Sequence, residues 1–250
     1  MIYKFGKHEI EIYDSIQKLP ILRFQKFNKY QMIASEVGND FSDYDKRTEK
    51  TMAFLKKNMV TEAIKELENR RMTVYNAYNE QTPVGRTFAI MIHRIDDVKY
   101  ETFAPDDLEQ ILIHLNNIGF DIETSITKLR EVKKKIETEL VVYYPQFFPK
   151  NGNQNQTALR VQRINALFDS VIEDRDYSEQ IFNIEKEILE DDKPNIWNVW
   201  QDNNMERVLE VDFQKFAISV TKMSGQNIND ITTFTFYATV EQLKEENKKK

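Results

Sequence analysis

The chain contains no cysteine. Disulfides are excluded, and with them thiolate zinc sites and cysteine nucleophiles. Glycine and proline are scarce, six of each in 250 residues. A β-sandwich or barrel spends those residues on its many turns, so their scarcity favours long helices with few connections. The glycines are also too few for a phosphate-cradling loop, and neither a P-loop nor a nucleophile-elbow motif occurs. Positive charge is in deficit: the formal net charge is -6 and the isoelectric point is about 5.3. Phosphate binding needs concentrated positive charge, so no whole-protein grip on DNA or RNA is expected. Arg23, Lys26 and Lys29 form a local basic group, whose ordinary reading is a solvated helix face. Long apolar runs are missing too. No window approaches the roughly 18 to 20 apolar residues that span a bilayer. The N-terminus lacks the apolar core of a secretory signal. Synthesis in the cytoplasm, with no membrane contact, is the expectation.

What is present is an amphipathic globular chain, 40% hydrophobic and 30% charged, long enough to bury a core. Alternation around Gly6-Lys7 predicts a β-hairpin over residues 2 to 5 and 9 to 13. Two strands alone are marginal in water, so the hairpin must pack on helices or on another subunit. Pro20 and Gly38 bound a helix of about 20 to 37, with Phe24, Phe27, Tyr30 and Ile33 on one face. A weaker helical pattern covers 43 to 57. From 59 to 79, Ile64, Leu67, Val74 and Tyr78 form one stripe, broken by Arg71. The run Phe88 to Ile92 fits helix or strand, and its neighbours favour a buried helix. Pro105 with Asp106 and Asp107 opens the next helix, in which Leu108, Ile111, Leu112 and Leu115 face inward and Gly119 ends the element. Asp121 caps a long helix to about Val142.

Residues 145 to 157, with the run Asn151-Gly152-Asn153-Gln154-Asn155-Gln156, read as an exposed loop. Helices at about 157 to 172 and 177 to 190 follow. Leu209, Phe213, Phe216, Val220 and Met223 form a helix seam stopped by Gly225. Asn229 or Asp230 caps a last helix carrying Ile231, Phe234, Tyr237, Val240 and Leu243. The expected fold is mainly α, a multi-helix bundle with a short N-terminal β-hairpin. Its units are 1–148, 149–193 and 194–250, which can also form one domain.

Little in the sequence points to catalysis. The three histidines, His8, His93 and His114, show no metal-ligand spacing. His114 lies in an apolar stripe and reads as structural. His93 beside Arg94, Asp96 and Asp97 is more suggestive, though charge at the end of an apolar element is ordinary. The pairs Asp96-Asp97, Asp106-Asp107 and Asp191-Asp192 are sequential, so on a helix their side chains diverge by about 100°. They do not make catalytic dyads. No cofactor and no metal ligand is assigned, and the chain reads as a non-enzyme. A metal-dependent nuclease built from distant acids would need a tight acidic pocket. What stands out is aromatic: Phe147 and Phe148 beside Tyr143 and Tyr144, and the two tryptophans, Trp197 and Trp200. Large aromatics beside polar linkers anchor protein interfaces or plug the join between helical units. Phe147, Phe148, Trp197 and Trp200 are therefore the candidate interface residues.

The stretch Leu19 to Tyr30, LPILRFQKFNKY, is followed by Glu36-Val37-Gly38-Asn39-Asp40 and Asp43-Tyr44-Asp45-Lys46. Together they resemble a block in proteins of crAss-like phages that infect gut Bacteroidales. LREVKKK at Leu129 to Lys135 and Tyr143-Tyr144-Pro145 fit the same likeness, which covers roughly residues 8 to 175. The resemblance implies a virion structural protein of the head-to-tail region, a ring or adaptor subunit made in the host cytoplasm. Its partners would be the portal or neighbouring ring proteins and further copies of itself in a homo-oligomeric ring. Ile218 to Phe236, with Lys222-Met223-Ser224-Gly225, is similar to C-terminal helical pairs of phage tail-assembly chaperones. That likeness implies the alternative, an assembly factor absent from the mature particle.

Overall fold

A computed structural model describes residues 1–38, 41–78, 82–148, 154–172 and 176–248. Their fold is mainly helical with a short N-terminal antiparallel hairpin, as the patterning predicts. Strands β1 (Ile2–Phe5) and β2 (His8–Ile12) pair around Gly6, whose φ of +59° suits glycine in a tight turn. The hairpin is half of a larger sheet. Strands β3 (Ile92–Ile95) and β4 (Val98–Lys99) complete an antiparallel order β1-β2-β3-β4.

This corrects the reading of Phe88 to Ile92 as a buried helix. Helix α4 (Pro83–Ala89) ends inside that run, and Ile92 starts β3. All five residues from Phe88 to Ile92 are fully buried, so the run carries no periodicity that separates helix from strand. The tie is broken by β2, which sets Ile10 opposite Ile95 and Glu11 opposite Arg94. Pairing satisfies backbone groups that a helix ending there would leave bare.

Ten helices occur among the described residues. Helix α1 (Ile21–Glu36) is the central one, and Phe24, Phe27 and Tyr30 are buried as expected. Its basic residues behave differently from a solvated face. Arg23 is buried and donates through Nη1 to the carbonyls of Ile90 and Ile92, at 2.8 and 3.1 Å, and through Nη2 to that of Tyr100. Lys29 is buried and bonds Glu206 and Glu210 at 2.7 and 2.8 Å. Lys26 is half-buried, 4.9 Å from the Phe103 ring centre, and donates to that residue's carbonyl. Neither a basic patch nor a solvated face results. α1 is covered on several sides, so its polar positions become internal ties.

Helices α2 (Ser42–Lys56) and α3 (Val60–Tyr78) form a hairpin around Asn58, whose φ is +58°. Helix α5 (Pro105–Asn117) starts where predicted. Asp107 accepts from the Ala104 backbone at 2.8 Å, and Leu108, Ile111 and Leu115 are buried. Asp121 caps α6 (Ile122–Tyr143) by accepting from the Thr124 amide at 2.7 Å. Helices α7 (Gln154–Ile172) and α8 (Ser178–Asp191) follow. The predicted polar loop is shorter than expected, because Gln154, Asn155 and Gln156 belong to α7, while 149–153 lie outside the described residues.

Helix α9 (Met205–Ser224) ends at Gly225, at φ +66°, as its sequence foretells. Helix α10 (Thr233–Lys248) starts later than Asn229 or Asp230 would give. Thr232 caps it, accepting from the Thr235 amide at 3.2 Å. The chain before it is tied to the start of α1: Ile21 donates to Ile231, and Thr233 to Leu19. That strap fixes where helical geometry can begin. One hydrophobic cluster then joins Ile10, Phe24, Phe88, Ile136, Val220 and Val240, so residues of 1–148 and of 194–250 share a core.

Candidate interaction surfaces

Helix α3 is packed inside out. The face turned toward the rest of the protein carries Glu66, Asn69, Thr73 and Asn76, all buried. Each of the first three has a defined partner. Arg47 donates to Glu66 at 2.8 Å. Asn69 donates to the Asn195 carbonyl at 2.7 Å and accepts from the Trp197 amide at 2.9 Å. Thr73 donates to the Val37 carbonyl. Burying a polar group costs stability unless it is bonded, so these contacts favour this face of the helix, even though the second carboxylate oxygen of Glu66 has no partner.

The predicted stripe therefore faces outward. Ile64 is 55% exposed and Tyr78 83%, with Leu67 and Val74 also exposed. Val60 lies on the same line, which runs Val60, Ile64, Leu67, Arg71, Val74, Tyr78 in steps of four and three. That is the spacing of a coiled-coil seam. Its one charged member, Arg71, bonds Glu68 of the preceding turn at 3.1 Å.

Trp200 flanks this seam. It is 59% exposed, its ring meets Tyr75 edge-on at 5.3 Å, and the Arg71 guanidinium lies 5.8 Å from its centre. Asn198 holds the loop in place, accepting from the Trp200 amide at 3.0 Å and donating to Glu68 at 2.5 Å. Trp197 is different. It is 2% exposed and packs with Val37 and Met72. Three residues apart in sequence, one tryptophan plugs the join between α1 and α3 while the other lies at the surface.

Phe147 and Phe148 are half-buried against α10, with rings 5.6 and 5.1 Å from that of Tyr237. Burial pushes the Tyr237 phenol up to about 12. The two phenylalanines cover that buried ring, and the structure does not bring them together with Trp200 into one patch.

Among the described residues, a second exposed apolar face lies on α9. Val208, Val211 and Ile218 are exposed there. Between α9 and α1 runs a groove of about 540 Å³, lined by Leu22, Phe103, Val211, Phe213 and Ile218, with Lys26 and Glu210 also on its walls. Sequence reading singled out the inner seam of this helix. Val220 is buried, whereas Phe216 and Met223, on the same predicted seam, stay exposed.

The residues flagged for chemistry are engaged structurally. His93 stacks on Tyr13 with ring centres 5.0 Å apart, and burial holds its imidazole below the usual histidine range. His114 Nδ1 lies 2.6 Å from the Tyr100 hydroxyl. His8 Nδ1 lies 2.7 Å from Asp96, which also accepts from the Glu9 amide and sits at φ +49° in the β3–β4 turn. The His8 bond and the amide bond hold the Asp96 carboxyl below its ordinary value. Among the described residues, no group of three or more His, Asp or Glu side chains could hold a metal ion. No helix among them is long and apolar enough to cross a membrane. No protein-family model, curated protein or solved structure matches the chain.

Proposed function

We propose that this chain is a non-enzymatic structural subunit of a tailed-phage particle, a ring or connector protein of the head-to-tail region that works by contact. The observation that carries this reading is the outward seam of α3 on a fold whose α9 offers a second, separate apolar face. A heterologous contact that closes into a ring needs two different faces on each subunit. Soluble monomers rarely leave contiguous apolar surface of this kind uncovered. The resemblance of the Leu19 to Tyr30 block to crAss-like phage proteins supplies the setting, and portal-type neighbours are the partners it implies.

Mass spectrometry of purified particles tests the reading. The chain should be present at a copy number near that of the portal. Absence from particles, with recovery from infected cells bound to one structural protein, would replace it by the assembly-factor reading. A turnover reaction abolished by changing one acid or histidine would overturn both.

A further inference from the structure

We infer that the groove between α1 and α9 binds a small amphipathic monocarboxylate, a medium-chain fatty acid, with its tail along the apolar walls and its carboxylate on Lys26. The groove holds about 540 Å³, within the roughly 300–1,000 Å³ of small-molecule sites. Leu22, Phe103, Val211, Phe213 and Ile218 line it. Val211 and Ile218 are more than half exposed, so a seated tail would take apolar surface out of water.

Charge selects the head group. Lys26 lies on the groove wall, half-buried, and donates to the Phe103 carbonyl at 3.0 Å beside the ring of the same residue. An ammonium has three donors, and one carbonyl uses one of them. Glu206 and Glu210, whose charges reach Lys26, are both bonded to Lys29 one helical turn further on, at 2.7 and 2.8 Å. Burial, with the Lys29 charge beside it, holds the Lys26 pKa below the ordinary lysine value in spite of Glu210, Glu206 and Asp107. The site is therefore short of negative charge. The other cation on the walls, Lys215, pairs with Asp212 at 3.6 Å. One under-neutralised ammonium fits a single carboxylate. A dianion would bring surplus charge toward Glu210, and a cationic amphiphile would meet Lys26 itself.

This assignment does not rest on the particle reading. Val211 and Ile218 belong also to the α9 face invoked there, and a bound tail would cover them in the free chain. Binding to the purified chain is measured without particles, so the two readings fail separately.

Isothermal titration calorimetry of the full chain with decanoate and with decylammonium tests it. Decanoate should bind saturably, one per chain, with a Kd on the order of 0.1 mM. Decylammonium, with the same tail and the opposite charge, should bind at least about tenfold more weakly. Lys26→Met should weaken decanoate binding by about tenfold and erase the preference between the two probes. Ile218→Glu, at an exposed position, keeps Lys26 and should abolish decanoate binding with helical circular dichroism unchanged, because it sets a carboxylate where the tail lies. No saturable decanoate binding, equal affinity for decylammonium, or an unchanged preference in Lys26→Met overturns the inference. So does a native chain that sediments above its 29.8 kDa mass and returns to it in Ile218→Glu, which would give the groove to a second copy.

Discussion

Arg23 Nη1 donates to the carbonyl oxygen of Ile90 at 2.8 Å, reaching from α1 to the point where α4 gives way to β3. The same nitrogen reaches Ile92, the second guanidinium nitrogen reaches Tyr100, and the plane lies 5.3 and 5.1 Å from the Tyr13 and Phe103 ring centres. Burial pulls the Arg23 pKa down, yet the three carbonyls and the two aromatic faces accommodate the charge. One side chain thus fixes the junction between sheet and helices. Arg23→Met should leave those carbonyls without a donor and cost about 3 kcal/mol. Arg23→Lys should rescue only part of this, because a single ammonium cannot reproduce the planar fork. Equilibrium urea unfolding reads both, and a loss below about 1 kcal/mol for the methionine variant would contradict this role.

Lys29 ties α1 to α9 through Glu206 and Glu210. Burial opposes its charge, but the two carboxylates outweigh that and raise its pKa above 10.5. A cation with a raised folded value contributes stability that is complete below its unfolded pKa and is lost as pH climbs through the folded one. Lys29→Met should cost about 1–2 kcal/mol at neutral pH, since both acids keep some contact with water. The gap between variant and native chain should close above pH 10.5. Thermal unfolding across the alkaline range measures it, and a gap independent of pH would count against the ion pair.

Glu36, at the end of α1, has a buried carboxylate oxygen with no hydrogen-bond partner. Burial raises its pKa above 4.5; Lys50 and Arg47 oppose the shift, while Glu66 and Asp192 reinforce it. The folded chain therefore holds this proton more tightly than the unfolded chain. The stability linked to it is complete below pH 4.5 and falls as pH rises through the folded value. Glu36→Gln should be more stable than the native chain at neutral pH, with the advantage fading toward pH 4.5 and below. Parallel unfolding profiles for the two chains over that range would show that the carboxylate is already well solvated.

Gly225 closes α9 with φ +66°, and a Cβ built on it would meet nothing within 4 Å. Space is available, so only the backbone resists a side chain. Gly225→Ala should lower stability by about 1 kcal/mol, the cost of placing alanine in the left-handed region. A thermal shift of a few degrees, with the same helix content, is the expected readout.

Much of the local structure was legible from residue type. Gly6-Lys7 marked the hairpin, Asp121 the cap of α6, and Gly225 the end of α9, because turns and caps are decided by one or two side chains next to the backbone they serve. The α3 stripe was also visible in the spacing of Ile64, Leu67, Val74 and Tyr78. Its direction was not. Periodicity reports that a helix has an apolar face, and only the tertiary structure reports which face is turned inward. Here Glu66, Asn69 and Thr73 took the inside by finding Arg47, Asn195 and Val37.

Trp197 and Trp200 make the same point. They are of one residue type and three positions apart, and nothing local separates the buried one from the exposed one. Arg23 and Lys29 looked like surface charge because their partners, Ile90 and Glu206, lie far along the chain. The sequence by itself determined many of the turns and caps, through interactions within a few residues, whereas the α4–β3 junction and the start of α10 were set by β2 and by Leu19 and Ile21 from far along the chain. Which polar groups could be buried, and so which apolar seam was left facing outward, depended on partners far away in sequence that only the folded chain brings within bonding distance.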